Sequence, residues 1–382
     1  MTFYSFESSM FDIIIIGGGC MGTASAYYSA KSGNKTLLIE QFSFGHNNGS
    51  SHGYSRIIRK SYAERYFVEM MHQAYDLWHD LETASSTTLI IKTGGLDFGR
   101  IGDSYLERTV DAVTNSGIAF ELLSAAQIRE RFPMITVPDD YKGIYQPDAG
   151  VLNPYQSLEV IRNLAKQERA ELHEEEQMLS FEEKADLVVV KTSKGEYTTK
   201  KLIITIGAWI KQFLDTRGMS LKADIWKLSL GYYDVKVPEN FKPSKFPIFI
   251  AMDGPIFYGF PILEQPGRIK VAPHFTNEII DIKNRTFEPN HELISKLNEF
   301  VANTFKDVYP TPNDLDTCLY TYTPDENFIL DYLPNSKNII IGAGFSGHGF
   351  KFTPLIGKSL VELAMNKPVG FDLTIFQLSN QL

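Results

Sequence analysis

Gly17, Gly19 and Gly22 fall in the run Gly17-Gly18-Gly19-Cys20-Met21-Gly22, directly after the apolar stretch Phe11 to Ile16. This spacing suits a backbone that must pass close to a phosphate. The first glycine permits a tight turn, the second lets the chain approach a pyrophosphate, and the third lets a helix pack close to a strand. The free N–H groups and dipole of that helix would then face the anion. Glu40 follows about 20 residues on, where a carboxylate takes a ribose hydroxyl. An acid there disfavours a 2′-phosphate.

A second group lies just beyond. Gly49-Ser50-Ser51-His52-Gly53-Tyr54-Ser55 is a loop of mostly small residues, followed by Arg56 and Arg59. Three residues apart, these arginines would share one face of a helix. On composition alone each could equally be a solvated or salt-bridged surface residue. There are two cysteines, Cys20 and Cys318. They exclude a disulfide-dense scaffold, and a lone cysteine is ordinarily a small buried hydrophobe. Cys20 is read as loop packing.

The elements that must position these residues follow from apolar periodicity. Phe11 to Ile16 and Lys35 to Glu40 are buried-type strands, separated by a helix over Thr23 to Lys31 that Gly33-Asn34 stops. Strand, glycine loop, helix and strand together form the dinucleotide fingerprint, which does not choose between NAD and FAD. Glu64 to Glu82 has helix spacing, and its Met and aromatic stripe fits a core. Leu89 to Phe98 is strand-like, broken at Gly94-Gly95; 103–131 is helical in parts; and Phe132 to Pro147 resembles a crossing between domains. Asn153-Pro154 caps another helix. Glu171 to Leu179, Leu187 to Thr192 and Glu196 to Lys200 follow as meander strands, with Glu174 to Glu176 a solvated face. Lys201 to Gly207 and Asn338 to Gly342 are buried-type strands, Tyr232 to Val237 and Pro247 to Met252 suggest a second sheet, and a last helix covers Pro354 to Met365.

The chain has 382 residues, of which 43% are hydrophobic and 22% charged. That is an ordinary globular mixture, with length for about two to three domains. A net charge of -9 argues against general nucleic-acid or anionic-membrane binding. No apolar run approaches the roughly 18 residues of a membrane span. The N-terminus lacks the pattern of a signal peptide, and the polar and aromatic residues before Met10 read as a short extension. A soluble, cytoplasmic protein is the expectation. Nucleotide-domain features recur at the start, middle and end of the chain, so the expected fold is α/β (α+β overall), with a discontinuous Rossmann-type domain and an inserted antiparallel-sheet domain. The first takes 1–90, 151–225 and 319–382, the second 91–150 and 226–318.

The glycine loop, SHGYSRIIR, FYGFP, Lys270 to His274, CLYTYTPDENFILD and GFSGHGFKF occur in that order. Over almost the whole chain they resemble the monomeric sarcosine oxidase and N-methyltryptophan oxidase family of FAD-dependent amine oxidases. The resemblance implies FAD as cofactor, attached covalently through Cys318 by an 8α-thioether. It implies that Arg59 and Lys351 hold a substrate carboxylate and that Lys270 activates oxygen near flavin N5. It places Tyr258 and His274 in the substrate cavity, His52 and Arg56 close to the flavin, and Ser51 and Gly347 with Gly17, Gly19, Gly22, Glu40 and Lys351 among the cofactor-binding residues. No metal site is implied. His348, among glycines, is read as turn or flavin-loop structure.

These residue types suit those tasks. A carboxylate needs cations, and Arg can fork both oxygens while Lys supplies a point charge. Oxygen becomes an anion on taking its first electron, and a fixed ammonium stabilises that charge as it develops. Aromatic faces hold an amine. Two departures stand out: the family often has HHGDTR where Ser51-His52-Gly53-Tyr54-Ser55-Arg56 stands, and Lys60 replaces a frequent His. Both bear on side-chain preference.

The implied activity is oxidation of an N-methyl or N-alkyl amino acid, a small secondary amine, to an imine, with oxygen reduced to hydrogen peroxide. The expected partners are that amine and oxygen, and the expected state a monomer. Fructosyl amino acid oxidation, cyclic imino acid oxidation and an amino-acid dehydrogenase passing electrons to a quinone are the alternatives on the same scaffold; a nucleotide-binding module without catalysis is the non-enzyme alternative. Fold alone cannot decide among them.

Overall fold

The computed structural model describes residues 10–382; the extension expected before Met10 lies outside them. The apolar run Phe11–Ile16 becomes a strand buried along nearly its whole length. It runs parallel to Thr36–Ile39 on one side and Glu196–Ile204 on the other. The latter pairs in parallel with Ile339–Ala343. This parallel centre belongs to an eight-stranded sheet with antiparallel additions at its margins. Helix Cys20–Lys31 packs between helices Pro154–Gln167 and Thr353–Ala364. It is buried from Met21 to Ala30, which explains its lack of a polar face.

The second sheet also has eight strands, ordered Asp314–Tyr322, Asp224–Asp234, Arg268–Pro273, Ile256–Phe260, Ile248–Met252, Gly95–Arg100, Tyr141–Gln146 and Glu121–Ser124. It is antiparallel except where Ile248–Met252 runs parallel to Gly95–Arg100. Helix His291–Thr304 covers part of it, its N-terminus capped by Asn290. A core of aromatic residues, including Phe241, Phe246, Phe249 and Phe305, fills the space beneath. Three short strands, Arg56–Ile58, Gly150–Leu152 and Ile90–Lys92, form a third sheet. Among the described residues, no helix is long and apolar enough to cross a membrane.

Several sequence expectations change. Arg56 and Arg59 do not share a helix face. Ile57 and Ile58 pair with Val151 and Gly150, and this strand carries the two arginines to different surroundings. The stretch 132–147 is not only a crossing, since Tyr141–Gln146 is a strand inside the second sheet. Glu196 to Lys200 and Lys201 to Gly207 are not two strands; Glu196–Ile204 is continuous. The stretch 171–179 divides into Glu171–His173, parallel to Thr36–Ile39, and the start of Met178–Lys184. Between them Glu176 is 1% exposed, not solvated. Its carboxylate accepts from Thr192 Oγ1 at 2.5 Å and sits 3.0 Å from His173 Nδ1. Cys20 opens a helix rather than lying in a loop. The expected divisions at 225/226 and 318/319 fall within strands of the second sheet.

Candidate active site

The glycine loop meets the expected requirements for close backbone approach. Gly17 has φ of 99°, the left-handed region. A Cβ on Gly22 would stand 1.8 Å from the Gly17 carbonyl oxygen. Gly19 is the N-cap of helix Cys20–Lys31 and offers no side chain to its N–H groups, and the first turn has no acid. Ser51 reaches across and accepts from the Cys20 N–H at 3.0 Å. Glu40 ends the second strand buried. It accepts from the Gly18 N–H at 2.7 Å and the Phe42 N–H at 2.9 Å, and His46 Nε2 lies 3.4 Å from it.

A cavity of about 820 Å³ runs from this loop to the second sheet. Every expected site residue lines it except Gly22, which works behind the loop. An open helix end, a loop without side chains and a buried acid at the strand end fit a dinucleotide. The residues present are therefore suited to FAD.

Midway, the loop Ser50 to Ser55 is clamped by Arg56. Its guanidinium donates to the carbonyls of Ser55, Ser50 and His52 at 2.7, 3.0 and 2.7 Å, and lies over the Phe350 ring. His52 Nδ1 sits 3.0 Å from the Gly49 carbonyl. Burial, then the charge of Arg56, pushes this imidazole down to about 4. Cys318 lies on the strand Asp314–Tyr322 opposite Leu228. Burial pushes its thiol up, while Arg56 and Lys270 pull it down.

Lys270, 6% exposed, is held from three sides. Its Nζ donates to Glu264 Oε1 at 3.0 Å and Ser55 Oγ at 3.2 Å, and it lies over the rings of Phe260 and Tyr232. Glu264 also accepts from the hydroxyls of Ser55 and Tyr232. Burial pushes its carboxyl up, but the Lys270 ammonium and these hydrogen bonds prevail and hold it below the usual range.

The innermost cations flank Tyr62. Arg59 lies 4.7 Å over its ring, and Lys351 Nζ donates to its hydroxyl at 2.9 Å and to the His348 carbonyl at 3.0 Å. Burial and the neighbouring Arg59 push Lys351 well below the usual lysine range. Arg59 Nη1 donates to Ser61 Oγ at 2.9 Å and to Asp97 Oδ2 at 3.3 Å. Tyr258 and Tyr320 bring their hydroxyls within 3.0 Å of each other. His274 packs against Tyr320, with Nε2 3.9 Å from Glu326 Oε2. Gly347 has φ of 79°, and a Cβ there would stand 2.2 Å from the Tyr320 ring. His348 is fixed between the Tyr62 hydroxyl and the Glu326 carbonyl. Desolvation among the rings of Phe67, Phe328 and Phe352 pushes it down to about 3.

Sequence reasoning did not find Glu264, Ser55, Asp97, Ser61, Tyr62, Tyr320 or Glu326. Two left a signal. Asp97 stands alone in the apolar run Leu96-Asp97-Phe98, where an acid needs a buried partner, and Glu264 precedes Lys270 across a Pro266-Gly267 turn.

The family described as FAD dependent oxidoreductase matches residues 12–363. The monomeric sarcosine oxidase of Bacillus sp. (strain NS-129) is 34% identical over 377 residues, covering 97% of each chain. The peroxisomal sarcosine oxidase of Homo sapiens is 35% identical over 379 residues, covering 98% of this chain and 97% of its own. Among solved structures, NikD, an unusual amino acid oxidase essential for nikkomycin biosynthesis, superposes with a TM-score of 0.84 at 25% identity over 96% of this chain and 97% of its own. L-proline dehydrogenase from P. horikoshii shares the fold, with a TM-score of 0.83 at 20% identity over 97% of both chains.

Proposed function

Because the chain belongs to the sarcosine oxidase family of FAD-dependent oxidoreductases, we propose that it is an FAD-dependent oxidase of secondary amines, acting on an N-methyl or N-alkyl amino acid. One observation carries the reading furthest: a single cavity joins the glycine loop to the buried cations Arg59, Lys270 and Lys351. For an N-methyl substrate, the amine, oxygen and water give the primary amino acid, formaldehyde and hydrogen peroxide. FAD, when bound, supplies the two-electron chemistry that takes a hydride from the carbon next to nitrogen and returns the electrons to oxygen.

The protein's own groups bind, orient and stabilise charge. Lys351 and Arg59 receive the substrate carboxylate, one as a point charge and one through its planar fork. Tyr258 and Tyr320 wall the amine, with His274 beside them. Lys270 holds a positive charge where oxygen becomes anionic, and Glu264 and Ser55 fix its direction. Gly17, Gly19, Gly22, Glu40, Ser51 and Gly347 hold the dinucleotide, and His52 and Arg56 shape the loop over it. Covalent attachment through Cys318, a monomeric state and a cytoplasmic location belong to the same proposal. So does a division into a nucleotide unit around the first sheet and a substrate unit around the second.

The test is an anaerobic flavin-bleaching screen with sarcosine, N-methyltryptophan, fructosylglycine and pipecolate. Rapid bleaching by an N-methyl amino acid, followed by peroxide on admitting air, is the expected result. Bleaching only by fructosylglycine or pipecolate would move the assignment to the corresponding alternative. No bleaching by any of them would defeat it.

A further inference from the structure

Asp97 lies in the middle of the strand Gly95–Arg100, 2% exposed. Its cross-strand neighbours are Ile250 on one side and Ile144 on the other. A carboxylate between isoleucines is costly unless it is paired. The pairing comes from Arg59 Nη1 at 3.3 Å and Ser61 Oγ at 2.5 Å, and Ser61 Oγ itself accepts from Arg59 at 2.9 Å. The three groups form a closed triangle behind the cavity wall.

This changes the charge offered to a ligand. Of the two cations around Tyr62, Arg59 is balanced by Asp97. Lys351 bonds only neutral groups, the Tyr62 hydroxyl and the His348 carbonyl. With Lys351 protonated, the pair therefore presents one uncompensated positive charge instead of two. Glu64 and Glu326 line the same cavity, but Glu64 lies 3.5 Å from Arg108 and Glu326 lies 3.9 Å from His274, so they add no free cation for a second anionic group.

We propose that Asp97 is a specificity-determining residue: by anchoring and neutralising Arg59 it matches the pocket to a secondary amine with a single carboxylate and discriminates against dicarboxylates. Arg59 then orients the carboxylate through its N–H geometry, and Lys351 supplies the net charge. The inference rests on the reading that Arg59 and Lys351 receive that carboxylate.

The test uses the flavin-loaded protein and two probes, propionate and succinate, titrated at a pH where both are fully ionised. Binding is read from the perturbation of the flavin absorption spectrum. Asp97→Asn keeps an acceptor for Arg59 and Ser61 but removes the charge. The affinity for succinate relative to propionate should rise about tenfold, equivalent to roughly 1.4 kcal/mol. Ser61→Ala keeps the charge and should leave that ratio near the native value. An unchanged ratio in Asp97→Asn, or an equal rise in Ser61→Ala, would overturn the proposal. If Asp97→Asn does not fold, the Asp97→Leu, Ser61→Ala double variant removes the acid without leaving an unpaired hydroxyl, and the same rise is required of it. Lys351→Met separates the two levels of the argument. Undiminished propionate binding in that variant overturns the carboxylate reading together with this inference; weakened propionate binding with an unchanged ratio in Asp97→Asn overturns this inference alone.

Discussion

The Lys351 ammonium donates to the Tyr62 hydroxyl at 2.9 Å, so a buried charge is met by a neutral side chain. Burial, followed by the repulsion of Arg59, lowers its proton affinity, and Asp97 restores only part of it. A bound carboxylate favours the charged form. Where Lys351 is neutral in the free protein, anion binding must therefore take up a proton. Propionate affinity should fall as pH rises through the depressed pKa, at a lower pH than an ordinary lysine of about 10.4 would give. Lys351→Met should cost on the order of 2–5 kcal/mol of binding free energy and flatten this profile. Titrations across neutral to alkaline pH decide it; a profile equally steep in Lys351→Met would assign the proton to another group.

Lys270 and Glu264 invite a kinetic separation. Reaction with oxygen creates an anion that substrate oxidation does not, and an ammonium that stabilises it selectively lowers that barrier. A stabilisation of about 4 kcal/mol corresponds to about a thousandfold in rate. Lys270→Met should slow reoxidation by that order while substrate-driven reduction falls much less. It also strands a buried carboxylate, which typically costs about 3–5 kcal/mol of stability. Adding Glu264→Gln should restore the lost stability without restoring reoxidation. Stopped-flow measurement of both half-reactions, with thermal melts, checks this. Collapse of reduction with normal reoxidation would make Lys270 a substrate-binding residue.

The nucleotide half of the fold was legible because its signals are local. Gly17, Gly19, Gly22 and Glu40 lie within one strand-loop-helix-strand unit, and each acts through its own backbone or an adjacent element. The partners of the cations were not legible for the opposite reason. Arg59 and Asp97 are separated by 38 residues, and only the register of Gly95–Arg100 in the second sheet brings them together. Arg56 and Arg59 misled at short range, because β-branched Ile57 and Ile58 and their pairing partners override an i,i+3 pattern. Tyr141–Gln146 was missed since a prolyl crossing precedes it and its apolar alternation is weak. The residues of the ordered motifs nonetheless come together along one cavity, although they lie on many separate elements.

Cys318 should hold the flavin after denaturation. Its thiol is pushed up by burial, but Arg56, Lys270 and Arg285 all favour the thiolate that attachment requires. Acid precipitation is expected to leave yellow colour with the protein, and Cys318→Ser to release it while FAD still binds. Colourless wild-type pellets with free flavin in the supernatant would remove the link and leave the FAD assignment standing.

Gly22→Ala should abolish FAD retention. The added methyl would stand 1.8 Å from the Gly17 carbonyl oxygen and 2.6 Å from Thr205 Oγ1, so the loop must move. Overpacking of this kind costs about 1–3 kcal/mol. Gly195→Ala is the control, since the nearest atom to its Cβ would be 3.9 Å away. Loss of flavin in both variants, or in neither, would show that close packing at Gly22 is not what shapes the loop.

The parallel centre of the first sheet joins Phe11–Ile16 near the start of the chain, Glu196–Ile204 in the middle and Ile339–Ala343 near the end. During synthesis the first strand meets Thr36–Ile39 early, but its other neighbour, Glu196–Ile204, exists only after about half of the polypeptide, and that strand's own partner, Ile339–Ala343, later still. Pairing across such separations carries a large loop-closure cost and slows folding. The glycine loop can therefore be translated early yet gain its shape late, when the C-terminal strand and helix Thr353–Ala364 leave the ribosome. Nascent chains stalled before Ile339 should remain protease-sensitive in the segment 11–40, and protection should rise only after release. Early protection would show that the first half assembles alone.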